Sequence, residues 1–260
     1  MSWTIERRGP VAVVTMTTNA VNAQNRAFFA DLHEAFDRLE RDHRESPVVL
    51  TGTGTRFSAG LDLGEHFPLF AGERAAVASW FREYRETNMR LFTYPRPTVA
   101  AVNGHAFAGG LITATMCDYR IAVDEGAKFG LNEISAGLPM PAVYVRMLAY
   151  AWGEPVATRA CLRGELFSPA QALTQGIVHE LTNAGALLDR AVEVAAQTPE
   201  DSIEQYAFTK RAGQVASLRD IAELAHHLDE DELPDRMTSE QARHAHRRYW
   251  QQLKGTPAPW

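Results

Sequence analysis

The chain has 260 residues, of which 45% are hydrophobic and 22% are charged, and its formal net charge at pH 7 is −6. This is the composition of an ordinary globular protein, long enough for one large core or a core with an appended region. The mild negative charge, without any stripe of basic residues, argues against a nucleic-acid-binding protein. The longest apolar run, Val99–Met116, is interrupted by Asn103 and Gly104, so we expect no membrane-spanning segment.

The remaining compositional signals point to a reducing compartment. Two cysteines, Cys117 and Cys161, lie in apolar surroundings and are expected to be buried, reduced thiols of a cytoplasmic protein. The first ten residues lack the apolar core of a signal peptide. The nine histidines show no spacing typical of metal ligands, so we expect no metal site.

The N-terminal third alternates short β-rich runs with helical patterns. Val11–Met16 predicts a strand, and a helix is predicted from about Arg26 to Arg41, where apolar residues recur at helical spacing between charges. Val48–Thr51 predicts the next strand. The aromatic-rich segment from Gly64 to about Tyr94 is expected to be a helix that faces the core, with the alternative that some of its aromatic residues line a pocket.

The stretch from Pro97 to Pro139 carries the strongest functional signal. A β-rich run, Thr98–Val102, ends at a turn, and Gly109-Gly110 then opens an apolar segment that predicts a helix over Leu111–Cys117. A helix that begins with two glycines exposes its first backbone N–H groups and the positive end of the helix dipole. Glu133 follows between apolar residues. An anion-stabilising backbone with one carboxylate outlines a proton-transfer site, although such glycines also serve ordinary turns.

The C-terminal part is predicted to be largely helical. After a strand at Tyr119–Val123 and an extended segment at Ile177–Leu181, every pattern from Gly185 onward is helical. The predicted helices are Met147–Arg163, Pro169–Gln175, Leu187–Gln197, Ile203–Val215, Ile221–His227 and Glu240–Leu253. The architecture is therefore expected to be β/α units followed by a helical tail.

Several motifs, in a fixed order, together resemble those of the crotonase (enoyl-CoA hydratase/isomerase) superfamily. They are FSAGLDL at Phe57–Leu63, AAVNGHAFAGG at Ala100–Gly110, CDYRIA at Cys117–Ala122, FGLNE at Phe129–Glu133 and LFSPAQALTQGIV at Leu166–Val178. The resemblance implies an α/β fold, a spiral of ββα units with a helical C-terminal region. It also implies an acyl-CoA-binding core over residues 1–195, and oligomerisation of residues 196–260 into a homotrimer or a hexamer built as a dimer of trimers.

The resemblance assigns roles to particular residues. Two backbone N–H groups, those of Leu61 and Gly109, are expected to form an oxyanion hole for the thioester carbonyl of an acyl-CoA. Glu133 matches a catalytic glutamate of the family. Candidates for binding the CoA thioester are Ala59, Asp62, Leu63 and Arg56. Coenzyme A enters as part of the substrate, and no further cofactor is expected.

Departures from the family pattern favour one reaction. Hydratases of the family carry a second glutamate three residues after the oxyanion glycine, and here that position is Ile112. Other branches place an acid about eight residues beyond the position of Glu133, where this chain has Pro141. A single base can move a proton from the α-carbon to the γ-carbon without water. The sequence therefore looks like the delta-3, delta-2-enoyl-CoA isomerases of fatty acid metabolism, with Glu133 as the proton shuttle.

Two alternatives remain open from the sequence. The first is hydration or another crotonase reaction that uses an acid outside the usual motifs, for which Glu65 is a candidate, although a solvent-facing role for it is favoured. The second is an acyl-CoA-binding subunit without catalysis. A binder would have no reason to tolerate a buried carboxylate such as Glu133.

Overall fold

Two β-sheets form the centre of the computed structural model, which describes residues 2–260. The strands are β1 (Thr4–Arg8), β2 (Val11–Thr15), β3 (Val48–Thr51), β4 (Arg56–Ser58), β5 (Thr98–Val102), β6 (His105–Phe107), β7 (Tyr119–Val123), β8 (Phe129–Gly130), β9 (Leu166–Phe167) and β10 (Glu180–Thr182). The larger sheet has the order β1-β2-β3-β5-β7-β10, and the smaller has the order β4-β6-β8-β9. From β3 to β8, consecutive strands alternate between the two sheets, as expected for repeated ββα units.

The larger sheet is parallel apart from its first pair, and its central strands are buried. Val13 of β2 pairs with Val49 of β3, which pairs with Val99 of β5. Every residue of β3 and β5 is buried, which explains their unbroken runs of small and branched apolar residues. The strands predicted at Val11–Met16, Val48–Thr51, Thr98–Val102 and Tyr119–Val123 are confirmed, whereas the extended segment predicted at Ile177–Leu181 overlaps β10 only in its last two residues. The strands of the smaller sheet have only two or three residues and left no periodicity to detect.

Helices surround the sheets and form the whole C-terminal part. They are α1 (Arg26–Asp42), α2 (Leu63–Phe70), α3 (Arg74–Phe92), α4 (Gly109–Thr115), α5 (Glu133–Ala136), α6 (Ala142–Trp152), α7 (Glu154–Arg163), α8 (Pro169–Thr174), α9 (Leu187–Ala195), α10 (Ile203–Leu224), α11 (Leu233–Thr238) and α12 (Glu240–Lys254). A 3-10 turn covers Glu200–Ser202, and a π-helical segment covers Ala225–Glu232. The predicted α/β class with a helical C-terminal region is confirmed.

Local chemistry explains where some of these helices begin and end. Asn25 caps α1, since its side-chain oxygen accepts a hydrogen bond from the Phe28 N–H at 2.9 Å. The single helix predicted over Met147–Arg163 is wrong. The chain turns at Gly153, whose φ of +83° a residue with a side chain rarely adopts, so α6 ends there and α7 begins.

The last two helices fold back onto the chain's own core. Helix α12 packs against α2 and α5, and α11 packs against α3. They complete a second apolar cluster that includes Phe67, Phe70, Leu138 and Met237. The domain boundary at residues 195/196 and the oligomerising role of the C-terminal region stay predictions.

His246 lies on α12 at the centre of this packing. The imidazole is completely buried and stacks on Phe67 with ring centroids 4.5 Å apart. Neither ring nitrogen has a hydrogen-bond partner among the described residues. Burial lowers the pKa of His246 to about 4, so the ring is neutral at physiological pH.

The two cysteines have the buried, unbridged side chains that the sequence predicted. Cys117 and Cys161 are both buried and unbridged, and burial raises the pKa of each thiol to about 12. Both thiols are therefore protonated and unreactive.

Within residues 2–260, none of the helices has the length and apolar character needed to cross a bilayer.

Candidate active site

An apolar cleft lies between the glycine-opened helix α4, the short helix α5 and the C-terminal helices. Its lining consists of Ala59, Leu61, Leu63, Phe70, Phe81, Tyr84, Ala108, Gly109, Ile112, Asn132, Glu133, Ala136, Leu138, Pro139, Met140, Pro141, Tyr144, Met237 and Tyr249. Glu133 is the only carboxylate in this set of described residues. The cleft therefore combines apolar walls with one titratable acid, the arrangement typical of a ligand site.

Glu133 is the first residue of α5 and enters the cleft with little access to water. Its side chain is buried, and its Oε2 atom has no hydrogen-bond partner among the described residues. The one-turn helix ends at Gly137, whose φ is +79°, and the Glu133 carbonyl accepts the Leu138 N–H at 2.9 Å. Burial raises the pKa of Glu133 to about 7. The carboxylate is thus poised to exchange a proton near neutral pH.

The N–H of Leu61 is left without an acceptor by the local hydrogen-bond pattern. In the same segment, the Ala59 N–H donates to Val21 O at 3.0 Å and the Asp62 N–H donates to Gln24 O at 3.0 Å. The Gly60 N–H reaches the Ser58 hydroxyl oxygen at 3.2 Å. Among the described residues no group accepts a hydrogen bond from Leu61 N–H, so it is available to a ligand.

The Gly109 N–H opens α4 close to the Leu61 segment. As the first residue of the helix, Gly109 has no intrahelical acceptor for its N–H. Gly60 packs directly on this turn, since a Cβ at position 60 would lie 2.6 Å from Phe107 O and 3.1 Å from Gly109 N. Two free N–H donors therefore lie in adjacent segments at one end of the cleft.

The turn before α4 is strained and crowded. Ala108 has a φ of 47° and a ψ of −123°, a conformation that costs a residue with a side chain on the order of 1–3 kcal/mol. At Gly109 a Cβ would lie 2.2 Å from Gln24 Oε1 and 2.7 Å from the Tyr84 hydroxyl. Only glycine fits at position 109 without moving these side chains.

These features agree with a comparison of the whole sequence with known families. The sequence profile of the enoyl-CoA hydratase/isomerase family matches residues 6–256. The chain belongs to this family. The crotonase resemblance inferred from the motifs is thereby confirmed, and enzymes of this superfamily bind acyl-CoA thioesters.

Relatives in the enoyl-CoA hydratase/isomerase family carry both reaction names. A Thermus thermophilus protein assigned as an enoyl-CoA hydratase is 36% identical over 210 residues, which cover 78% of this chain and 80% of that protein. The mitochondrial enoyl-CoA delta isomerase 1 of Mus musculus is 35% identical over 181 residues, covering 68% of this chain and 62% of the mouse protein. The human mitochondrial delta3-delta2-enoyl-CoA isomerase superposes with a TM-score of 0.88 at 28% identity, covering 98% of this chain and 99% of that structure.

The CoA-binding candidates suggested by the family resemblance lie in different places. Ala59 and Leu63 line the cleft. The carboxylate of Asp62 accepts the Gly64 N–H at 2.9 Å, which makes it the N-cap of α2. Arg56 begins β4, pairs with His105 and is not part of the cleft lining. The structure thus brings Ala59 and Leu63, but not Arg56, together with Glu133.

Two positions at which the motif resemblance implies an acid in other branches of the family are apolar here. Ile112 and Pro141 both line the cleft, and Ile112 is buried. Glu65, the candidate for a second acid, is exposed and outside the cleft. Its carboxylate oxygens accept the Arg26 N–H at 3.2 and 3.3 Å, so it caps the start of α1 instead.

Sequence reasoning assigned no role to the polar side chains that line the cleft, although it left open that some aromatic residues near Tyr84 line a pocket. Tyr84 and Tyr144 come from α3 and α6, and the Asn88 amide links them by donating to the Tyr144 hydroxyl at 3.2 Å and the Tyr84 carbonyl at 2.9 Å. Burial, and then the charge of Glu133, raise the pKa of Tyr84. Tyr84 stood in the aromatic-rich segment, where pocket and core residues follow the same helical periodicity.

Three side chains with the spacing of cation ligands lie together outside the cleft. The side chains of His226, His227 and Asp231 are exposed, and their ligand atoms lie within 4.8 Å of one another. These residues belong to the π-helical segment and not to the cleft lining. They have no part in the chemistry of Glu133.

Proposed function

We propose that this protein is a delta-3, delta-2-enoyl-CoA isomerase that moves the double bond of an enoyl-CoA from the 3 to the 2 position. The observation that carries the proposal is the single carboxylate, Glu133, in a mainly apolar cleft that also holds two free backbone N–H donors. The structural similarity to the human isomerase along nearly the whole chain supports it.

The mechanism follows from these groups. Glu133 takes a proton from the α-carbon of a 3-enoyl-CoA, and the electrons move onto the thioester oxygen to give a dienolate. The Leu61 and Gly109 N–H groups donate hydrogen bonds to that oxygen, and such preorganised donors are each worth about 3 kcal/mol. Glu133 then returns the proton to the γ-carbon, which leaves the double bond between the α- and β-carbons.

The environment suits proton transfer without hydration. A pKa of about 7 leaves Glu133 substantially ionised at neutral pH, yet basic enough to take a weakly acidic proton. Ile112 stands where a hydratase of the family would hold water with a second glutamate. The proposed proton transfer needs no cofactor beyond the CoA of the substrate. We also propose a cytoplasmic location, in keeping with the two unbridged cysteines.

An assay on a substrate panel tests the proposal and its rivals. Purified protein given 3-enoyl-CoAs is expected to form the trans-2 isomers, and to hydrate 2-enoyl-CoAs at least about 100-fold more slowly, because one of two carboxylates is missing. Products are separated by chromatography. Equal rates of hydration and isomerisation would favour the hydratase named among the relatives, and thioester binding without turnover would favour a non-catalytic binder.

The variant Ile112→Glu restores the missing carboxylate position. We expect it to raise the ratio of hydration to isomerisation, with Ile112→Gln as the control that adds a polar group of similar size but no acid. Because Ile112 is buried, the added acid is expected to destabilise the fold by several kcal/mol, which urea unfolding measures. An unchanged product ratio in folded Ile112→Glu protein would contradict the role given to this position.

We propose in addition that the protein forms a trimer or a hexamer. Helix α10 leaves Phe208 and Val215 each 64% exposed, and because these residues are seven positions apart they lie on one face of the helix, as is typical of a protein–protein contact. Light scattering at micromolar concentration is expected to give the mass of three or six chains. A mass of 28.8 kDa, that of one chain, would overturn this.

A further inference from the structure

A direct hydrogen bond joins the C-terminal helix to the residue that precedes Glu133. The side-chain amide of Asn132 donates to the Tyr249 hydroxyl oxygen at 2.7 Å. Asn132 lies between β8 and α5, and Tyr249 lies on α12, 117 positions further along the chain. Both residues also line the cleft.

The other end of α5 is held by the same helix. A Cβ at Gly137, the residue that ends α5, would lie 2.4 Å from the Cβ of Ala245, so the backbones of α5 and α12 are packed closely there. Ala245 precedes Tyr249 by four residues and therefore shares one face of α12. One face of the C-terminal helix thus contacts α5 at both of its ends.

We propose that Tyr249 is a positioning residue for the proton transfer, which holds Asn132 and thereby sets the orientation of the Glu133 carboxyl group in the cleft. This inference rests on the proposed role of Glu133 as the base. Tyr249 acts through Asn132 and need not touch the reacting atoms.

The carboxyl group depends on such support for two reasons. Helix α5 has only four residues, and one turn of helix is not stable by itself. The Glu133 Oε2 atom has no hydrogen bond to any described residue, so the side chain takes its direction from the backbone that carries it. Burial, and not a neighbouring charge, raises the pKa of Glu133. The charge of Glu133 in turn acts on the Tyr84 hydroxyl on α3 and the Cys161 thiol on α7, whose raised pKa values keep both groups neutral at pH 7.

The test is Tyr249→Phe, which keeps the ring and removes the hydroxyl. We expect kcat to fall roughly 10-fold with KM changed less than about two-fold, because a displaced base loses alignment while the binding surface remains. A loosened α5 also admits water to Glu133, so the acid limb of the kcat/KM pH profile should move to lower pH. The matched control is Tyr150→Phe, which removes a hydroxyl from a half-exposed position on α6 outside the cleft lining.

A double-mutant cycle separates positioning from simple destabilisation. Asn132→Ala should reproduce the loss of kcat, and the double variant with Tyr249→Phe should lose little more than either single variant. The proposal would be overturned if the fold-loss of kcat in the double variant equalled the product of the two single losses. An unchanged pH profile in Tyr249→Phe would also overturn it. If Tyr249→Phe is unfolded by circular dichroism, the Asn132→Ala variant and its pH profile decide in its place.

A second measurement, the titration of the Glu133 carboxyl group, does not depend on the proposed reaction. Carbon-13 NMR of labelled glutamate follows the titration of the Glu133 carboxyl, assigned by its loss in Glu133→Gln. A shift of this titration to lower pH in Tyr249→Phe, but not in Tyr150→Phe, supports the positioning role even if the wild type does not isomerise enoyl-CoA. An unshifted titration refutes it even if the wild type is an active isomerase.

Discussion

Glu133→Gln is expected to lower isomerase turnover by about 10²- to 10⁴-fold, the usual contribution of a positioned general base. The amide keeps the size and most of the packing of the side chain but cannot take a proton. Binding of acyl-CoA should change little, since the Leu61 and Gly109 N–H groups and the apolar walls remain. The control is Glu65→Gln, which changes a carboxylate outside the cleft and also tests the rival acid.

The same substitution should stabilise the folded protein above neutral pH. The pKa of Glu133 is about 7 in the fold and near 4.5 when exposed, so the folded state binds a proton more tightly. The stability that comes from this bound proton is therefore lost as the pH rises from 4.5 to 7. Above pH 7 the buried carboxylate lowers the free energy of unfolding by about 3 kcal/mol relative to the protonated form. Removing the charge should recover part of this cost.

Urea unfolding at two pH values measures this effect. Glu133→Gln should be more stable than the wild type at pH 8, by up to about 3 kcal/mol, and nearly equal to it at pH 4.5, where the wild-type carboxyl is protonated. A variant that retains full turnover, or one that is less stable at pH 8, would show that Glu133 is not the buried base described above.

Leu61→Pro is expected to lower turnover by roughly 100- to 1000-fold, because it removes one oxyanion donor. Leu61 suits this test because its N–H has no acceptor among the described residues, so proline deletes no hydrogen bond of the fold. Gly109→Pro would remove the other donor with a similar loss, but its side-chain atoms would collide with Gln24 and Tyr84.

The matched control for the donor is Leu61→Ala, which truncates the side chain but keeps the N–H. Turnover of Leu61→Ala should lie well above that of Leu61→Pro, and thermal unfolding must show that both are folded. Equal turnover in the two variants would remove the Leu61 N–H from the proposed mechanism.

The sequence predicted the parts of the molecule that local patterns determine. The buried strands around Val49 and Val99 follow from their branched apolar residues, and α1 follows from its helical periodicity. The strand-turn-helix leading to Gly109 was visible because glycines interrupt an apolar run. The break at Gly153 was missed although the sequence carries a signal for it. Pro155 follows the glycine and lies in the first turn of α7.

The other walls of the cleft could not be predicted from local patterns. Tyr84, Tyr144 and Tyr249 lie on three helices far apart in the sequence, and each has the spacing of an ordinary core residue. Their meeting depends on how α3, α6 and α12 pack around the cleft, which is a property of the tertiary structure. The motifs located Glu133, but the cause of its raised pKa, burial by those helices, needed the structure.

The buried ring of His246 makes the stability of the packing around the C-terminal helix depend on pH. Its pKa is about 4 in the fold against 6.5 when exposed, so the unfolded chain takes up a proton that the native packing excludes. Its contribution to stability is therefore complete above pH 6.5 and is lost as the pH falls toward 4. Glu133 behaves in the opposite sense over an overlapping range. The two titrations offset one another in mildly acidic solution, and a chain without the carboxyl group would reveal the acid sensitivity of the histidine.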